Sequence, residues 1–345
     1  MSEAVNRRIV LAARPRGRPT SDNFRLEDAP IPAPSTGEML CRTIYLSLDP
    51  YMRGRMNDAP SYTAPVEVGG VMVGGTVAEV IDSKLEGFAP GDIVVGYGGW
   101  QTHTVFRQGE ARKVDPALAP VSTAVGVLGM PGMTAYGGLH EIGQLKPGET
   151  LVVAAASGAV GAVVGQIAKV KGCRAVGIAG SKAKCDYVVE ELGFDACIDH
   201  HAPDFGDALQ SACPKGIDIY WENVGGRVFD TVLGLLNPFA RVPVCGLIAW
   251  YNATELPQGP DRTPLLMRRV LVNRLTIRGF IVFDFAHLEG KFLQEVGQWI
   301  GEGRIRYRED IREGLENAPE AFVGLLEGEN FGKLLVRVAP DPSAS

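Results

Sequence analysis

The amino-acid sequence predicts an α/β protein of two domains, a doubly wound parallel sheet accompanied by an antiparallel, barrel-like β domain. Three observations predict it. A chain of 345 residues exceeds the usual size of one hydrophobic core, so about two domains are expected. Residues up to about 125 carry short β-branched segments punctuated by Pro and Gly, with few helix signals. From about Pro131 onward, apolar strand runs alternate with segments of helical period, the pattern of a parallel sheet with helices on both faces.

Taken in order, Val71-Met-Val-Gly-Gly-Thr-Val-Ala-Glu-Val and Asp92-Ile-Val-Val-Gly-Tyr read as strands of the first domain. Thr150-Leu-Val-Val-Ala-Ala reads as a buried strand, Ala159 to Lys171 as a helix, and Arg174-Ala-Val-Gly-Ile-Ala as the next strand. The alternation continues with a helix at Ala183 to Leu192, a strand at Ile217 to Trp221, a helix at Gly226 to Leu236 and a strand at Ala240 to Cys245. Beyond the Pro/Gly-rich loop from Leu256 come a helix near Leu265 to Val272, a strand at Leu275 to Val282 and an amphipathic helix around Phe285 to Ile300. A helix at Ala318 to Leu326 and a last strand at Gly332 to Ala339 break this pattern and are expected to rejoin the first domain. The boundaries expected are thus 1–125 with 301–345 for the β domain and 126–300 for the parallel sheet.

Composition excludes several functions. The net charge is -6, and Lys and Arg are dispersed rather than clustered, so neither nucleic acid nor a membrane surface is expected as a partner. Six cysteines without a C-x-x-C pair argue against a disulfide scaffold and a zinc ribbon. With no signal-peptide pattern and no long apolar run, the expected location is the cytoplasm.

The segment Ala156-Ser-Gly158-Ala159-Val160-Gly161 follows a strand and opens a helix, the context a dinucleotide fingerprint requires, with alanine in place of the first glycine. Gly158 would admit backbone to a pyrophosphate, Gly161 would let the helix pack on the sheet, and the helix N-terminus would supply N–H groups. A ligand-free tight turn is the bland alternative. About 20 residues further on, NAD sites place an acid on the ribose. Here Ala179-Gly180-Ser181-Lys182-Ala-Lys184 offers two lysines and no acid, which favours the 2'-phosphate of NADPH.

A catalytic zinc needs Cys, His and Glu ligands, yet Pro65-Val-Glu67-Val-Gly-Gly has no neighbouring His, and the five histidines show no ligand spacing beyond the pair His200 and His201. No metal is therefore expected. Hydride addition to an activated alkene would then need another donor for the charge developing on the carbonyl oxygen. A phenol suits this, being protonated at neutral pH. Tyr51, Tyr62 and Tyr251 are the candidates, and Tyr251 stands out because it follows a parallel strand, at the edge where such sheets bind ligands.

At these residues the chain resembles the zinc-independent prostaglandin reductase and 2-alkenal reductase family of medium-chain dehydrogenases/reductases. The carriers are Ser47-Leu-Asp-Pro-Tyr-Met-Arg, Leu128-Gly-Met-Pro-Gly-Met-Thr-Ala-Tyr, Ala156-Ser-Gly-Ala-Val-Gly, Tyr220-Trp-Glu-Asn-Val-Gly-Gly, Tyr251-Asn-Ala-Thr-Glu-Leu-Pro-Gln-Gly-Pro and Asn330-Phe-Gly-Lys. The resemblance implies a Rossmann domain and a GroES-like domain, a homodimer, and NADPH-dependent reduction of the carbon-carbon double bond of enones and enals in the cleft between the domains. It implies that Gly158, Ala159, Val160 and Gly161 hold the pyrophosphate, and that Gly180, Ser181, Lys184 and His200 surround the adenosine phosphate. Asn223, Cys245, Gly246, Leu247, Ile248, Phe280, Ile281, Val282 and Asn330 would line the rest of the cofactor, with Met130 and Thr134 beside the nicotinamide. Tyr251 would stabilise or protonate the enolate, and Tyr51 would be a second hydroxyl in a pocket shared with Tyr62, Trp250 and Asn252. His200 stands where many members have tyrosine, and Trp250 where smaller residues are usual. Two rivals stay open: an NADPH quinone oxidoreductase, and a non-catalytic NADPH-binding protein of regulatory or structural role.

Overall fold

The computed structural model describes residues 5–343, and the chain divides into two compact units. One takes the chain up to Gly129 together with the stretch from Glu309 onward; the other is Met130–Arg308.

In Met130–Arg308 six strands form one parallel sheet in the order Ala196–Asp199, Arg174–Ala179, Thr150–Ala154, Ile217–Trp221, Leu236–Val244, Thr276–Gly279. Counted along the chain this is the order 3-2-1-4-5-6, whose direction of travel reverses between the first and fourth strands. The strands Thr150–Ala154 and Ile217–Trp221 are buried almost throughout, which explains their unbroken apolar runs. Helix Gly161–Val170 lays Ala162, Val163, Val164, Ile167 and Ala168 into the core. It carries Gly165 where the Phe194 ring approaches to within 1.8 Å of the position a Cβ would take. Only a residue without a side chain admits that ring.

The parallel sheet is as expected, with differences at its margins. Strand Ala196–Asp199 and helix Phe205–Ala212 were not legible, because the strand is short and only half-buried along its length. The expected strand at Leu275 to Val282 stops at Gly279, since Phe280 turns its ring to Trp221 at 5.6 Å and Phe285 at 5.2 Å. The expected helix from Phe285 divides into a 3₁₀ stretch, Val282–Leu288, and an α-helix, Glu289–Gly301.

In the other unit, the ten-residue strand Glu38–Ser47 is the axis. It pairs antiparallel with Thr76–Ser83, with His103–Arg107 and with Lys333–Arg337. Through the last of these, the C-terminal strand lies in the same sheet as Glu38–Ser47. The sheet is antiparallel except for Glu309–Glu313, which runs parallel to Lys333–Arg337. Val5–Leu11 and Phe24–Pro30 form a separate antiparallel pair. The buried Trp100 stacks on Phe24 at 5.5 Å and meets Phe322 of helix Ala318–Leu326 edge-on at 5.6 Å, so the C-terminal helix completes this core.

Candidate functional site

Within Met130–Arg308, the predicted nucleotide residues gather at the C-terminal ends of the strands. Strand Thr150–Ala154 leads into Ala155, whose φ of 53° bends the chain into a left-handed turn. Gly158 N–H donates to the Ala155 carbonyl at 3.0 Å, and a Cβ on Gly161 would lie 2.3 Å from that same oxygen. The turn thus closes only around a glycine at 161. Val160 stands at the mouth of a ten-residue helix, where Ala162 N–H donates to the Gly158 carbonyl at 3.0 Å and Val163 and Val164 N–H donate to the Val160 carbonyl at 3.1 and 3.0 Å. A strand, a tight glycine turn and a helix N-terminus at the sheet's switch point fit a pyrophosphate.

One strand over, Gly180 ends Arg174–Ala179, and Ser181 caps helix Lys182–Glu190, its hydroxyl accepting from Lys184 N–H at 3.3 Å. The Lys182 ammonium donates to both oxygens of Asp186 at 2.8 and 2.6 Å, an i,i+4 pair on the helix surface. His200, at the end of Ala196–Asp199, brings Nε2 within 3.4 Å of the Cβ position of Gly180. Burial and the neighbouring His201 hold the His200 imidazole below its ordinary value. Gly180, Ser181, Lys184 and His200 are therefore one cluster.

Across the switch point, Asn223 Nδ2 donates to the Ala154 carbonyl at 2.8 Å, while its Oδ1 accepts from Trp221 Nε1 at 3.1 Å. The side chain ties together the two strands between which the sheet reverses. Cys245 and Gly246 donate their amides to the Glu222 carbonyl at 2.9 and 3.2 Å, and Ile248 donates to the Asn223 carbonyl at 3.2 Å. Burial pushes the Cys245 thiol up to about 12, so it stays protonated. Tyr251 follows a 3₁₀ turn, Ile248–Trp250, and its phenol oxygen accepts from Leu247 N–H at 3.4 Å. Asn252 adjoins it, half-buried. Trp250 lies over the diglycine turn: a Cβ on Gly225 would meet its Nε1 at 2.7 Å.

Met130 and Thr134 share the helix Met130–Gly138, where the buried Thr134 hydroxyl donates back to the Met130 carbonyl at 2.7 Å. Phe280 belongs to the aromatic cluster already described, and Ile281, which follows it, donates its N–H to Asp284 Oδ2 at 3.0 Å. Glu222 was not singled out from the sequence. It is 2 % exposed, and its Oε1 accepts from Val224 N–H at 2.6 Å and Gly225 N–H at 2.8 Å. Burial raises its carboxyl despite those bonds.

Tyr51, Tyr62 and Asn330 lie in the other unit. Tyr51 begins the short helix Met52–Arg55 and packs against the buried core. Desolvation, then the Asp49 carboxylate and the phenols of Tyr97 and Tyr62, hold the Tyr51 phenol well above its ordinary value. Tyr97, missed in the sequence because it ends an ordinary strand, is pushed up to about 12 by desolvation, with Asp49 and Tyr62 adding to it. These three phenols form an electrostatically linked group. Tyr62 rides on a loop closed by Arg14, whose guanidinium donates to the carbonyls of Met56 at 3.1 Å and Val66 at 3.0 Å. Asn330 Nδ2 donates to the Gly332 carbonyl at 2.8 Å, fixing the bend before the last strand. Glu67 lies 3.9 Å from Arg14, and among the described residues no group of three or more His, Cys, Asp or Glu could hold a metal ion.

The sheet order and glycine turn define the class: a doubly wound nucleotide-binding fold alongside an antiparallel-rich unit. The comparisons sharpen it. Residues 7–114 match the family described as N-terminal domain of oxidoreductase, and residues 159–298 the family described as zinc-binding dehydrogenase. The chain is 59 % identical over 337 residues to the NADPH-dependent curcumin reductase of Escherichia coli (strain K12), covering 97 % of this chain and 98 % of that one. It is 39 % identical over 343 residues to a 2-alkenal reductase (NADP(+)-dependent) of Nicotiana tabacum, covering 98 % of each. The crystal structure of CurA from Vibrio vulnificus in complex with NADPH superposes with a TM-score of 0.94 at 55 % identity, over 97 % of this chain and 100 % of that one. The chain belongs to the medium-chain dehydrogenase/reductase superfamily and, within it, to the family of prostaglandin and 2-alkenal reductases. The resemblance carried by the six motifs is borne out.

Proposed function

We propose that the protein is an NADPH-dependent reductase of the carbon-carbon double bond of α,β-unsaturated ketones and aldehydes. The observation that carries this reading is the 59 % identity, over nearly the whole chain, to a protein named as an NADPH-dependent curcumin reductase. When bound, NADPH supplies the hydride that adds to the β-carbon of the acceptor.

The chain's own residues do the rest. The Gly158–Gly161 turn and the helix behind it receive the pyrophosphate, and Lys184, with Gly180, Ser181 and His200, receives the 2'-phosphate. Asn223 and the loop from Cys245 to Ile248 shape the floor beneath the nicotinamide, with Met130 and Thr134 beside it. Tyr251 donates its phenolic proton to the carbonyl oxygen on which charge develops, giving the enol, which tautomerises to the saturated carbonyl while the phenolate takes a proton back from solvent. Its oxygen accepts Leu247 N–H at 3.4 Å, a bond that favours the hydroxyl as a donor. In the other unit, desolvation keeps the Tyr51 phenol neutral, which suits a second hydrogen-bond donor to substrate, with Tyr62 as its electrostatic neighbour; Trp250 and Asn252 adjoin Tyr251 in sequence.

The reaction runs without zinc in this reading. Glu67, at the position where zinc-dependent relatives carry a ligand run, faces the Arg14 guanidinium instead. The proposed form is a cytoplasmic homodimer. The four residues of Thr276–Gly279 are exposed at the end of the sheet, and Leu265, Met267 and Leu271 are exposed on the neighbouring helix Thr263–Asn273, which suits pairing with a second copy. Light scattering on the purified protein tests that.

The activity is tested by following NADPH and NADH oxidation against a panel of enones, enals and quinones. Turnover should be highest on the enones and enals with NADPH, and Tyr251→Phe should lower it at least about tenfold. Faster turnover of quinones than of every enone would establish the quinone oxidoreductase, and no turnover at all the non-catalytic binder.

A further inference from the structure

Glu222 belongs to none of the roles above, yet it lies where the two halves of the candidate site meet. Its backbone extends the pairing of Ile217–Trp221 with Leu236–Val244 by one step, its N–H donating to the Pro243 carbonyl at 3.0 Å and its carbonyl receiving the amides of Cys245 and Gly246. There the two chains diverge. Its side chain then folds back so that one carboxylate oxygen receives the amides of Val224 and Gly225, closing the turn that opens helix Gly226–Leu233. A carboxylate on these amides also suits the positive end of the helix.

That turn is the bed on which the tyrosine-bearing loop rests. Gly225 and Gly226 have φ of 79° and 58°, conformations that place them under the Trp250 indole. Asn223 and Val224 carbonyls receive the amides of Ile248 and Ala249 at 3.2 and 3.0 Å. Tyr251 directly follows, with Gly246 beneath its phenol: a Cβ there would lie 3.0 Å from the hydroxyl. The backbone hydrogen bonds donated from Cys245 to Tyr251 thus run to residues 222–224 or within the loop itself.

We infer that Glu222 is a positioning residue for Tyr251, acting by holding the Val224–Gly226 turn on which the loop Cys245–Tyr251 is braced. The inference rests on the reading of Tyr251 as the proton donor. A donor a fraction of an ångström out of place loses transition-state stabilisation while substrate binding is untouched.

The test is steady-state kinetics on an enone at saturating NADPH. Glu222→Ala should lower kcat about tenfold or more, leaving KM for the enone within about twofold. Glu222→Gln retains an oxygen for both amides and should stay within about threefold of the parent. Gly225→Ala, which drives a methyl into Trp250 without touching the carboxylate, should reproduce the kcat loss should Glu222→Ala fail to fold. In a Tyr251→Phe background, Glu222→Ala should cost no more than about a further twofold, because the group through which it acts is gone. Losses that multiply in the double variant, a Gln variant as poor as the Ala variant, or an unchanged kcat in Glu222→Ala and Gly225→Ala would each overturn the positioning role alone. Full turnover by Tyr251→Phe would overturn it together with the assignment of Tyr251.

Discussion

Lys333 Nζ donates to Asp49 Oδ1 at 2.8 Å, and both side chains are almost wholly buried. The same ammonium donates to the Leu48 carbonyl at 2.8 Å, and Ser47 donates to the other Asp49 oxygen. The pair therefore pins the Leu48-Asp49-Pro50-Tyr51 bend to the last strand of the chain. A charge pair this deep costs much in desolvation and is stabilising only while both partners remain.

Lys333→Met is accordingly expected to destabilise the protein by about 3–5 kcal/mol, since Asp49 would be left buried and unpaired. The companion Lys333→Met, Asp49→Leu should recover much of that loss. Denaturant unfolding reads both, and a Lys333→Met midpoint equal to the parent's would refute the assignment.

Gly161→Ala is expected to weaken NADPH at least about tenfold, because the new methyl would sit 2.3 Å from the Ala155 carbonyl and must push the phosphate turn away from the helix. Cofactor fluorescence titration measures it. An unchanged affinity would mean that the turn does not carry the pyrophosphate.

Lys184→Glu should reverse cofactor preference. An acid beside Gly180, Ser181 and His200 repels a 2'-phosphate, so Kd for NADPH should rise about a hundredfold while NADH changes little. Lys182→Glu is the control: its ammonium already serves Asp186, so its effect should be much smaller. Equal effects from the two lysines would count against the distinction.

The pH dependence of stability has a definite sign. Burial is the leading cause that lowers both His103, with Arg42 adding to it, and His200, with His201 adding to it. Below the ordinary value of about 6.5 the unfolded chain takes up these protons before the folded one does. Their contribution is thus present above that value and lost as pH falls through it toward the lowered folded values. Thermal unfolding at about pH 7.5 and about pH 5.5 should show the drop, and His103→Gln with His200→Gln should flatten it. A melting temperature that rises on acidification over this range would contradict both assignments.

Much of this was legible beforehand. Strands Arg174–Ala179 and Ile217–Trp221 and helix Ala318–Leu326 have the bounds their apolar patterns announced, because each is buried on faces that the period of the sequence reports. Ala196–Asp199 and the charged Glu309–Glu313 were not, since both are held by ladder bonds to a neighbour rather than by side-chain burial of their own. The site divides the same way. The glycines at 158 and 161 and the missing acid near Lys184 were readable because backbone approach and phosphate charge restrict residue type. Glu222, Tyr97 and the Asp49–Lys333 pair were not, because an isolated acid, phenol or amine carries no period and gains its meaning from what surrounds it.

What the sequence determined by itself was local: which segments alternate with a period of two or of 3.6, where only glycine fits, and which family the six motifs resemble. What only the tertiary structure decided was non-local. It ordered the strands 3-2-1-4-5-6, set Asn223 across the reversal, and buried Lys333 against an aspartate 284 positions away. The physical reason is the same in each case. Desolvation and close packing depend on every chain segment that converges on a point, and no window of neighbouring residues contains that information.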